Sequence, residues 1–404
     1  MTQKYLNIGL IGSGFMGQAH ADAYRRAAML YRDLPALPRL SMLADATPEL
    51  AEKAARRFGF ERSTGDWRIL VNDPAIDVVD ITSPNLFHKE MALAAIAAGK
   101  HVYCEKPLAL SAEDAAEMTR AAEKAGVKTM VAFNNVKTPA ALYAKQIIAR
   151  GDIGRPTRFR AWFDQGFYND PSLPFSWRLK RAEAGSGALG DLGSHVIAVG
   201  QYLMGDVTAT IAQSQTAFKQ RPVPDGGSGY GATVGKDAIW ADVENDDQIQ
   251  ALVQFANGAG GTIEASRIAA GKIFGVYWEV SGTEGTLIMD GERFNELKLF
   301  RFGDDKADRG FRTLLVGSQV PQFSAFFGFD FGGGGLGYFD VKVIEVHDLI
   351  TGIMSNGDCF PSFGFGLRNQ QIMDAMEASL QTRRWETLPH GECLVRASPD
   401  LSAG

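Results

Sequence analysis

Cysteine is scarce in this sequence: Cys104, Cys359 and Cys393 stand far apart in a chain of 404 residues. A sparse, odd set of this kind excludes a disulfide-stapled scaffold and suits a reducing compartment. Long apolar runs are lacking too, since no stretch approaches the ~20 apolar residues that a membrane-spanning helix needs. The apolar run 8–16 is short and broken by glycines, and no small-residue cleavage site follows it. We therefore predict a cytoplasmic protein without a membrane partner.

An excess of positive charge is also lacking. The chain carries 41 Lys and Arg against 47 Asp and Glu, which gives a formal net charge of -6 at pH 7. A nucleic-acid-binding protein usually presents a basic face, so this balance argues against a nucleic-acid partner. Hydrophobic residues make up 45% and charged residues 22%, which is ordinary for a globular chain long enough for two domains.

The first third of the chain alternates between short apolar runs and helical patterns. We predict strands at 7–11, 39–44, 77–81, 101–104 and 128–133, and helices from about 15, at 48–58, 87–98 and 111–126. Thr47 before Pro48, and Ser111 three residues before Asp114, are typical of helix N-termini. Alternation of this kind predicts a doubly wound parallel sheet with helices on both faces.

The second half of the chain favours strands. We predict them at 157–163, 208–215, 249–255, 261–267, 277–281 and 286–290, with helices at 140–150, 188–203, 341–353 and 367–381. Asn257-Gly258 lies between two of these strands and is a strong hairpin signal. The fold class is therefore α/β, with a Rossmann dinucleotide-binding domain at 1–136 and a second α/β domain at 137–404 built on a mostly antiparallel sheet. The glycine-rich stretches 226–235 and 332–337 are predicted loops.

A glycine fingerprint separates the first predicted strand from the first helix. It reads Gly12, Ser13, Gly14, Phe15, Met16, Gly17. In such a motif the first glycine permits a tight turn and the second lets the backbone approach a pyrophosphate. The third lets the helix pack close to the strand, and the helix N-terminus supplies N–H donors and partial positive charge. We therefore predict a dinucleotide site, against the alternative of a merely structural turn.

Asp45 follows the second predicted strand. A carboxylate in this place accepts hydrogen bonds from both hydroxyls of the adenosine ribose and repels a 2′-phosphate. No arginine follows within two residues to compensate that repulsion. The predicted cofactor is therefore NAD rather than NADP. In the alternative interpretation Asp45 only caps the next helix, a role that Thr47 can fill.

Three further segments complete a family pattern: SPNLFH at 83–88, GKHVYCEKP at 99–107 and GDLGSH at 190–195. Together with the glycine fingerprint they resemble the glucose–fructose oxidoreductase, inositol dehydrogenase and rhizopine-catabolism family, written Gfo/Idh/MocA. The resemblance spans nearly the whole chain, and the Glu-Lys-Pro segment is its most specific mark. Within that family, segments 164–165, 174–178 and 185–190 are similar to those of levoglucosan dehydrogenase-type sugar dehydrogenases.

The resemblance implies a Rossmann domain followed by an α/β domain with a large open antiparallel sheet. One face of that sheet covers the nicotinamide site in the family, and the other commonly packs in homodimers or homotetramers. The resemblance also implies an enzyme that oxidises a secondary ring hydroxyl of a cyclic sugar, anhydrosugar or inositol. The expected partners are thus a small cyclic sugar or polyol and further copies of the chain.

Such an oxidation sends a hydride to the nicotinamide and a proton to the protein. Lys106 follows a strand at the edge of the sheet where ligands of doubly wound folds bind, and its ammonium can stabilise an alkoxide. Asp191 and His195 are four residues apart, so they share one face of a helix. A histidine suits proton transfer near neutral pH. We predict these three as catalytic, with His195 favoured as proton acceptor; the division of labour between His195 and Lys106 stays open.

Other residues of the matched segments are predicted to contact the ligands. The predicted cofactor contacts beyond the fingerprint and Asp45 are Ser83, Pro84, Asn85, His88, Glu105, Lys106, Asn134, Trp177 and Arg178. The predicted substrate contacts are Lys106, Asn134, Asp164, Gln165, Arg178, Asp191 and His195. His88 could instead cap its helix, and Arg178 could be an ordinary surface arginine. Asn134 stands where a tyrosine or arginine is frequent in the family, so the individual substrate does not transfer.

Two alternatives to the dehydrogenase remain in play, redox-assisted glycoside cleavage and a non-catalytic sensor, while a third, a metal site, is disfavoured. A metal site at Asp191 and His195 lacks a compact His/Cys/carboxylate cluster and leaves the glycine fingerprint unexplained, so no metal is predicted. Redox-assisted glycoside cleavage would need NAD held through repeated turnovers. A non-catalytic sensor of the same fold would typically lose the lysine or the histidine, and this chain retains both.

Overall fold

This computed structural model describes residues 3–225, 232–317, 320–327 and 335–389. Its first sheet is built from β1 (Tyr5–Ile11), β2 (Leu37–Ala44), β3 (Arg62–Thr64), β4 (Val78–Ile81), β5 (His101–Cys104) and β6 (Thr129–Val131). These six strands are all parallel and stand in the order β3-β2-β1-β4-β5-β6. The chain order reverses beside β1, and at such a point the loops diverge and leave a crevice at the carboxyl edge. The predicted doubly wound sheet is confirmed.

Helices connect these strands, and two of them begin at the capping residues that the sequence predicts. They are α1 (Phe15–Leu30), α2 (Pro48–Phe58), α3 (Trp67–Val71), α4 (His88–Ala97) and α5 (Ala112–Ala125). The side chain of Thr47 accepts a hydrogen bond from Leu50 N, and that of Ser111 accepts one from Asp114 N. Gly126 ends α5 with φ +67°, a conformation that glycine adopts without strain.

The second sheet has nine strands. The strands of the second half are β7 (Pro156–Asp164), β8 (Val207–Gln215), β9 (Gln220–Pro222), β10 (Trp240–Asp242), β11 (Gln248–Phe255), β12 (Gly260–Ser266), β13 (Gly275–Gly282), β14 (Gly285–Asp290), β15 (Glu296–Arg301), β16 (Arg312–Leu315) and β17 (Glu386–Thr387). The sheet order is β16-β15-β14-β13-β7-β12-β11-β8-β17, while β9 and β10 form a separate ribbon. Every neighbouring pair in the large sheet is antiparallel except β7 and β12. The mostly antiparallel sheet is confirmed, including the hairpin at Asn257-Gly258.

The remaining helices are α6 (Pro139–Ala149), α7 (Arg181–Ala184), α8 (Ser194–Met204), α9 (Tyr338–Ser355) and α10 (Phe363–Thr382). The helix predicted at 188–203 is present, but it opens with one π-helical turn, Leu189–Gly193, before α8. Short 3₁₀ turns occupy Asn85–Phe87, Asn134–Lys137, Trp177–Leu179, Gly291–Arg293 and Pro321–Phe326. Among the described helices, none is long and apolar enough to cross a membrane.

Helix α9 comes late in the chain yet packs on the first sheet. Val343, Val346 and Leu349 share one buried apolar cluster with Tyr24 of α1, and Arg26 of α1 forms an ion pair with Asp340. Residues far apart in sequence thus complete the layer that covers β1. The boundary at residues 136 and 137 stays a prediction. Of the two predicted glycine-rich loops, 226–231 and 332–334 lie outside the described residues, and 232–235 and 335–337 carry no helix or strand.

Candidate active site

A cleft of about 1200 Å³ opens at the carboxyl ends of β1, β2, β4 and β5. One wall is formed by the glycine fingerprint and the loops after these strands. The opposite wall comes from the second half of the chain, including Phe163 of β7 and His195 of α8. A site between a doubly wound sheet and a second wall of side chains is where this architecture binds its ligands.

The glycines of the fingerprint show why the motif needs them. Gly12 has φ +99°, and a Cβ there would lie 2.9 Å from Thr82 O. A Cβ on Gly17 would lie 2.1 Å from Gly12 O, so only glycine lets α1 pack this close to the turn. Gly14 differs, because a Cβ there would meet nothing within 4 Å. Its backbone is therefore open to the cleft, as the close approach of a pyrophosphate requires.

The N-terminus of α1 presents backbone N–H groups that no described side chain caps. Its N-cap residue is Gly14, and among the described side chains none makes a capping hydrogen bond to this helix end. The first N–H groups of a helix have no partner inside the helix and carry partial positive charge. They are suited to an anionic group such as the pyrophosphate of a dinucleotide. The geometry of this turn fits NAD.

Asp45 is held against the fingerprint. Its Oδ2 accepts hydrogen bonds from Ser13 N (2.9 Å) and from the Ser13 hydroxyl, and its Oδ1 accepts one from Ala46 N (2.6 Å). The carboxylate lines the cleft beside Trp67 and Arg68. This carboxylate borders the cleft next to the fingerprint, and a carboxylate suits hydroxyl donors rather than a phosphate. That Asp45 contacts the ribose stays a prediction.

Arg68 also lines the cleft, and sequence reasoning missed it. We looked for an arginine within two residues of Asp45, and Arg68 comes much later in the chain. Its guanidinium donates to Glu90 Oε1 (2.6 Å) and lies 3.7 Å from Asp66 Oδ1. Among the described residues Arg68 is thus ion-paired with Glu90 and Asp66 rather than with Asp45.

Lys106 and Asp191 meet at the other end of the cleft. The Nζ of Lys106 donates to Asp191 O (2.8 Å) and to Asp191 Oδ1 (3.2 Å). Burial by itself would raise the pKa of Asp191, but the positive charges of Lys106, Arg178 and Arg267 outweigh it and lower that pKa to about 2. Asp191 is therefore ionised at neutral pH and holds the ammonium in place.

His195 lies beside this pair and is buried. Its ring packs edge-on against Phe133 and Phe163, with centroids 6.2 and 5.7 Å away. Its Nδ1 is buried and has no hydrogen-bond partner among the described residues. Burial, followed by the charge of Lys106, holds the pKa of His195 well below its usual value. The ring is thus neutral near pH 7 and able to accept a proton.

Most of the residues predicted from sequence reach the cleft. Its lining includes Gly12, Ser13, Gly14, Phe15, Met16, Asp45, Ser83, Pro84, Asn85, Glu105, Lys106, Gln165, Trp177, Arg178, Asp191 and His195. The Asn85 amide donates to Ala184 O (3.1 Å) and ties the two walls together. The guanidinium of Arg178 stacks on Trp177 at 4.4 Å from the ring centroid. The individual ligand contacts of these residues stay predictions.

Four predicted residues do not line the cleft. Gly17 lies behind the turn, where its lack of a side chain matters for packing. His88 is buried and bridges Pro107 O (2.9 Å) and Ser83 O (3.0 Å), so it joins two cleft loops from behind. Asn134 is buried close to Tyr338, which does line the cleft. Asp164 is adjacent to Phe163 in β7, and because side chains alternate along a strand it points to the opposite face.

Glu105 belongs to a buried network that sequence reasoning also missed. Its Oε1 contacts His20 Nε2 (3.0 Å) and accepts from Lys342 Nζ (2.9 Å), while its Oε2 accepts from Lys106 N (3.0 Å). His20 also contacts Asp80 Oδ1 (2.9 Å). Lys342 and His20 outweigh the effect of burial and keep the pKa of Glu105 well below its ordinary value. A signal was present, since His20 and Lys342 interrupt otherwise apolar helix faces.

The remaining cleft residues gave no pattern in the sequence. They include Trp67, Thr82, Met91, Phe167, Arg267, Phe274, Tyr338 and Phe339. Most are apolar or aromatic and come from separate helices and loops, so spacing could not group them. Within the part of the chain that the structure describes, no group of His, Cys, Asp and Glu could hold a metal ion.

Comparisons with known proteins agree with this geometry. The sequence model described as the oxidoreductase family with NAD-binding Rossmann fold matches residues 6–133, and that of the GFO/IDH/MocA C-terminal domain matches residues 141–288. Levoglucosan dehydrogenase of Pseudarthrobacter phenanthrenivorans is 43% identical over 386 residues, which are 95% of this chain and 98% of the relative.

Solved structures extend the likeness to the whole fold. An NAD-binding oxidoreductase from Klebsiella pneumoniae is 65% identical with a TM-score of 0.90, covering 96% of this chain and 100% of that one. Levoglucosan dehydrogenase in complex with NADH and levoglucosan is 41% identical with a TM-score of 0.89, over 96% and 100% of the two chains. This chain therefore belongs to the Gfo/Idh/MocA family of oxidoreductases, and NAD is its cofactor.

Proposed function

We propose that the chain is a dehydrogenase that oxidises a secondary ring hydroxyl of a cyclic sugar, anhydrosugar or inositol to a ketone. The observation that carries the proposal is the group formed by Lys106, Asp191 and His195 at one end of the NAD cleft. It combines a fixed ammonium, a carboxylate that stays ionised and a neutral imidazole. Those are the groups that alcohol oxidation requires of a protein.

NAD, when bound, supplies the acceptor for the hydride. His195 takes the hydroxyl proton, because its low pKa leaves the imidazole neutral and free to accept at neutral pH. Lys106 donates to the same oxygen and stabilises the negative charge that develops on it. Asp191 holds the ammonium by two contacts from one residue and so fixes where that charge lies.

The walls around this group suit a cyclic polyol. Phe163, Phe167 and Phe274 line the cleft and offer apolar surface for the faces of a sugar ring. Gln165 and Arg178 line it as well and supply polar groups that can fix ring hydroxyls. A few polar groups placed on a mainly apolar wall give both affinity and orientation. Levoglucosan, the bound sugar of a solved relative, is the first candidate substrate.

The test is the appearance of NADH absorbance with the purified chain, NAD and a panel of cyclic polyols at alkaline pH. The panel holds levoglucosan, myo- and scyllo-inositol, glucose, galactose, xylose and anhydroglucitol. Turnover of one or two members supports the proposal. Silence across the panel by a protein that binds NAD would contradict it.

We further propose that copies of the chain associate through the outer face of the large sheet. Trp162 of β7 and Tyr277 of β13 stack on that face with ring centroids 3.8 Å apart. Leu252 of β11 is also on it and is 49% exposed. An exposed leucine beside partly exposed aromatic rings on a sheet face is consistent with an interface between copies. Light scattering after gel filtration should show a dimer or tetramer, and a monomer would contradict the proposal.

A further inference from the structure

Arg267 immediately follows β12 and is completely buried, yet its side chain lines the cleft. Its Nη2 donates to Asp246 O (2.8 Å) and lies 3.6 Å from Asp247 Oδ1. The guanidinium stacks on Tyr168 at 4.8 Å from the ring centroid. One edge of the guanidinium is thus anchored, and its plane is fixed.

The rest of the guanidinium has no hydrogen-bond partner among the described residues. Both Nε and Nη1 of Arg267 are buried, and neither donates to an acceptor there. A buried N–H without an acceptor is unfavourable by far more than an exposed one, and most strongly so when the group is charged. An acceptor that enters the cleft would remove this cost.

The surroundings of Arg267 show at which end of the cleft its side chain lies. Its positive charge is among those that lower the pKa of Asp191. The neighbouring chain segment holds Gln165, whose N donates to Ser266 O (2.8 Å) and whose O accepts from Ala269 N (3.0 Å). Arg267 therefore lies at the end of the cleft that holds Asp191 and Gln165.

We propose that Arg267 is a specificity-determining residue that donates a hydrogen bond from its unpartnered N–H groups to a substrate hydroxyl other than the one oxidised. The assignment of that ligand as a cyclic polyol rests on the proposed function. Arg267 holds the ring in one orientation, and Lys106 and His195 act on a different oxygen. Substrates without a hydroxyl on the Arg267 side are then selected against.

Arg221 provides a matched control. It is also completely buried, its guanidinium also contacts the Tyr168 ring at 5.4 Å, and its Nε is also unpartnered among the described residues. Its Nη1 and Nη2 donate to the main-chain oxygens of Asp170 and Tyr168. Unlike Arg267, it is not part of the cleft lining. A purely structural role would give both arginines the same mutant behaviour.

The experiment compares Arg267→Met and Arg221→Met with the unmodified enzyme, using NAD and levoglucosan. We expect Arg267→Met to raise the KM for levoglucosan about tenfold or more, the loss expected for one hydrogen bond from a charged donor, with the KM for NAD nearly unchanged. Arg221→Met should lower the melting temperature and leave both KM values nearly unchanged. Arg267→Lys, which keeps the charge, replaces Arg267→Met if the latter does not fold.

Monodeoxy forms of levoglucosan that keep the reacting hydroxyl locate the contact. One of them should be used equally well by the unmodified enzyme and by the Arg267 variant, because the acceptor is already missing. An unchanged KM in a folded Arg267 variant, or an equal loss with every deoxy form, overturns the inference.

If the unmodified enzyme oxidises no sugar, the proposed function fails. Calorimetry with the NADH-loaded protein then tests whether Arg267 contributes to sugar binding. Levoglucosan binding that Arg267→Met weakens supports the inference; equal binding to both, or none to the unmodified protein, overturns it.

Discussion

The ammonium of Lys106 donates to both the main-chain oxygen and the carboxylate of Asp191, although 85 positions separate the two residues. The two residues come from different halves of the fold, because Lys106 follows β5 and Asp191 lies in the π turn before α8. The pair joins the nucleotide-binding sheet to the second wall of the cleft. It also fixes a positive charge beside the buried imidazole of His195, whose pKa it helps to lower.

Replacing Lys106 should remove turnover without removing the cofactor. We expect Lys106→Met to lower kcat for levoglucosan about 10²- to 10³-fold, the usual effect of losing one donor to a developing oxyanion. NAD affinity, measured by fluorescence titration, should change by no more than a few-fold. Lys89→Met is the control, since Lys89 pairs with Asp114 and Glu117 on α5 and does not line the cleft. An unchanged kcat in Lys106→Met would remove this residue from the mechanism.

Asp45 should set the choice between NAD and NADP. Its carboxylate is held by Ser13 and Ala46 and would face the 2′-phosphate of NADP. We expect kcat/KM to favour NAD at least about tenfold, or roughly 1.4 kcal/mol. Asp45→Ser should reduce that preference, while Asp22→Ser on the exposed side of α1 should leave it intact. Equal use of both cofactors by the unmodified enzyme would show that Asp45 does not face the ribose.

The pH dependence should report the environment of His195. Because its pKa is lowered, the imidazole stays neutral below its ordinary pKa of 6.5, and it becomes charged only in more acidic solution. The acid limb of kcat/KM for alcohol oxidation should therefore lie below pH 6.5. His195→Asn should lower the rate and abolish this limb. A limb at or above neutral pH would mean that another group accepts the proton.

Lys342 should stabilise the fold through its buried ion pairs with Glu105 and Glu345. Its ammonium lies between Glu105 (2.9 Å) and Glu345 (3.1 Å), and all three side chains are buried. Removing one partner of a buried ion pair typically costs about 3–5 kcal/mol. We expect Lys342→Met to lower the melting temperature clearly and Lys342→Met with Glu345→Gln to recover part of the loss.

The same variant should move the acid limb of the rate profile. The charge of Lys342 lowers the pKa of His195, so its loss should shift that limb to higher pH. Lys180→Met, at an exposed lysine paired with Glu183, serves as control for both readouts. An unaltered melting temperature in Lys342→Met would show that the network adds no stability.

Much of the local structure followed from short-range patterns. Thr47 and Ser111 start their helices as predicted, and Asn257-Gly258 turns the predicted hairpin. The strand β15 was missed, although its sequence, ELKLFR, alternates along most of its length. The π turn at Leu189–Gly193 was missed as well, because it differs from an α-helix only in hydrogen-bond spacing.

The residues of the site can likewise be divided into those that the sequence predicted and those that it did not. The glycine fingerprint and the Lys106, Asp191 and His195 segments were recognisable because each is a short run with a fixed internal spacing. We predicted Asp164 in the cleft together with its neighbour Gln165. Because side chains alternate along a strand, Asp164 points to the other face of the sheet. Arg267 and Arg68 were invisible in the sequence, since a single arginine after a strand or in a short helix carries no spacing to recognise.

The sequence by itself thus determined most of the longer helices and strands and the turn that admits a dinucleotide, and it singled out Lys106, Asp191 and His195 as candidates. All of these depend on neighbours within a few residues, where backbone geometry and periodicity act directly. Only the tertiary structure decided that Lys342 of α9 forms an ion pair with Glu105 and that Arg267 lines the cleft with N–H groups that no described residue accepts. Those relationships depend on how distant segments pack, and burial then sets the strength of each charge that they bring together.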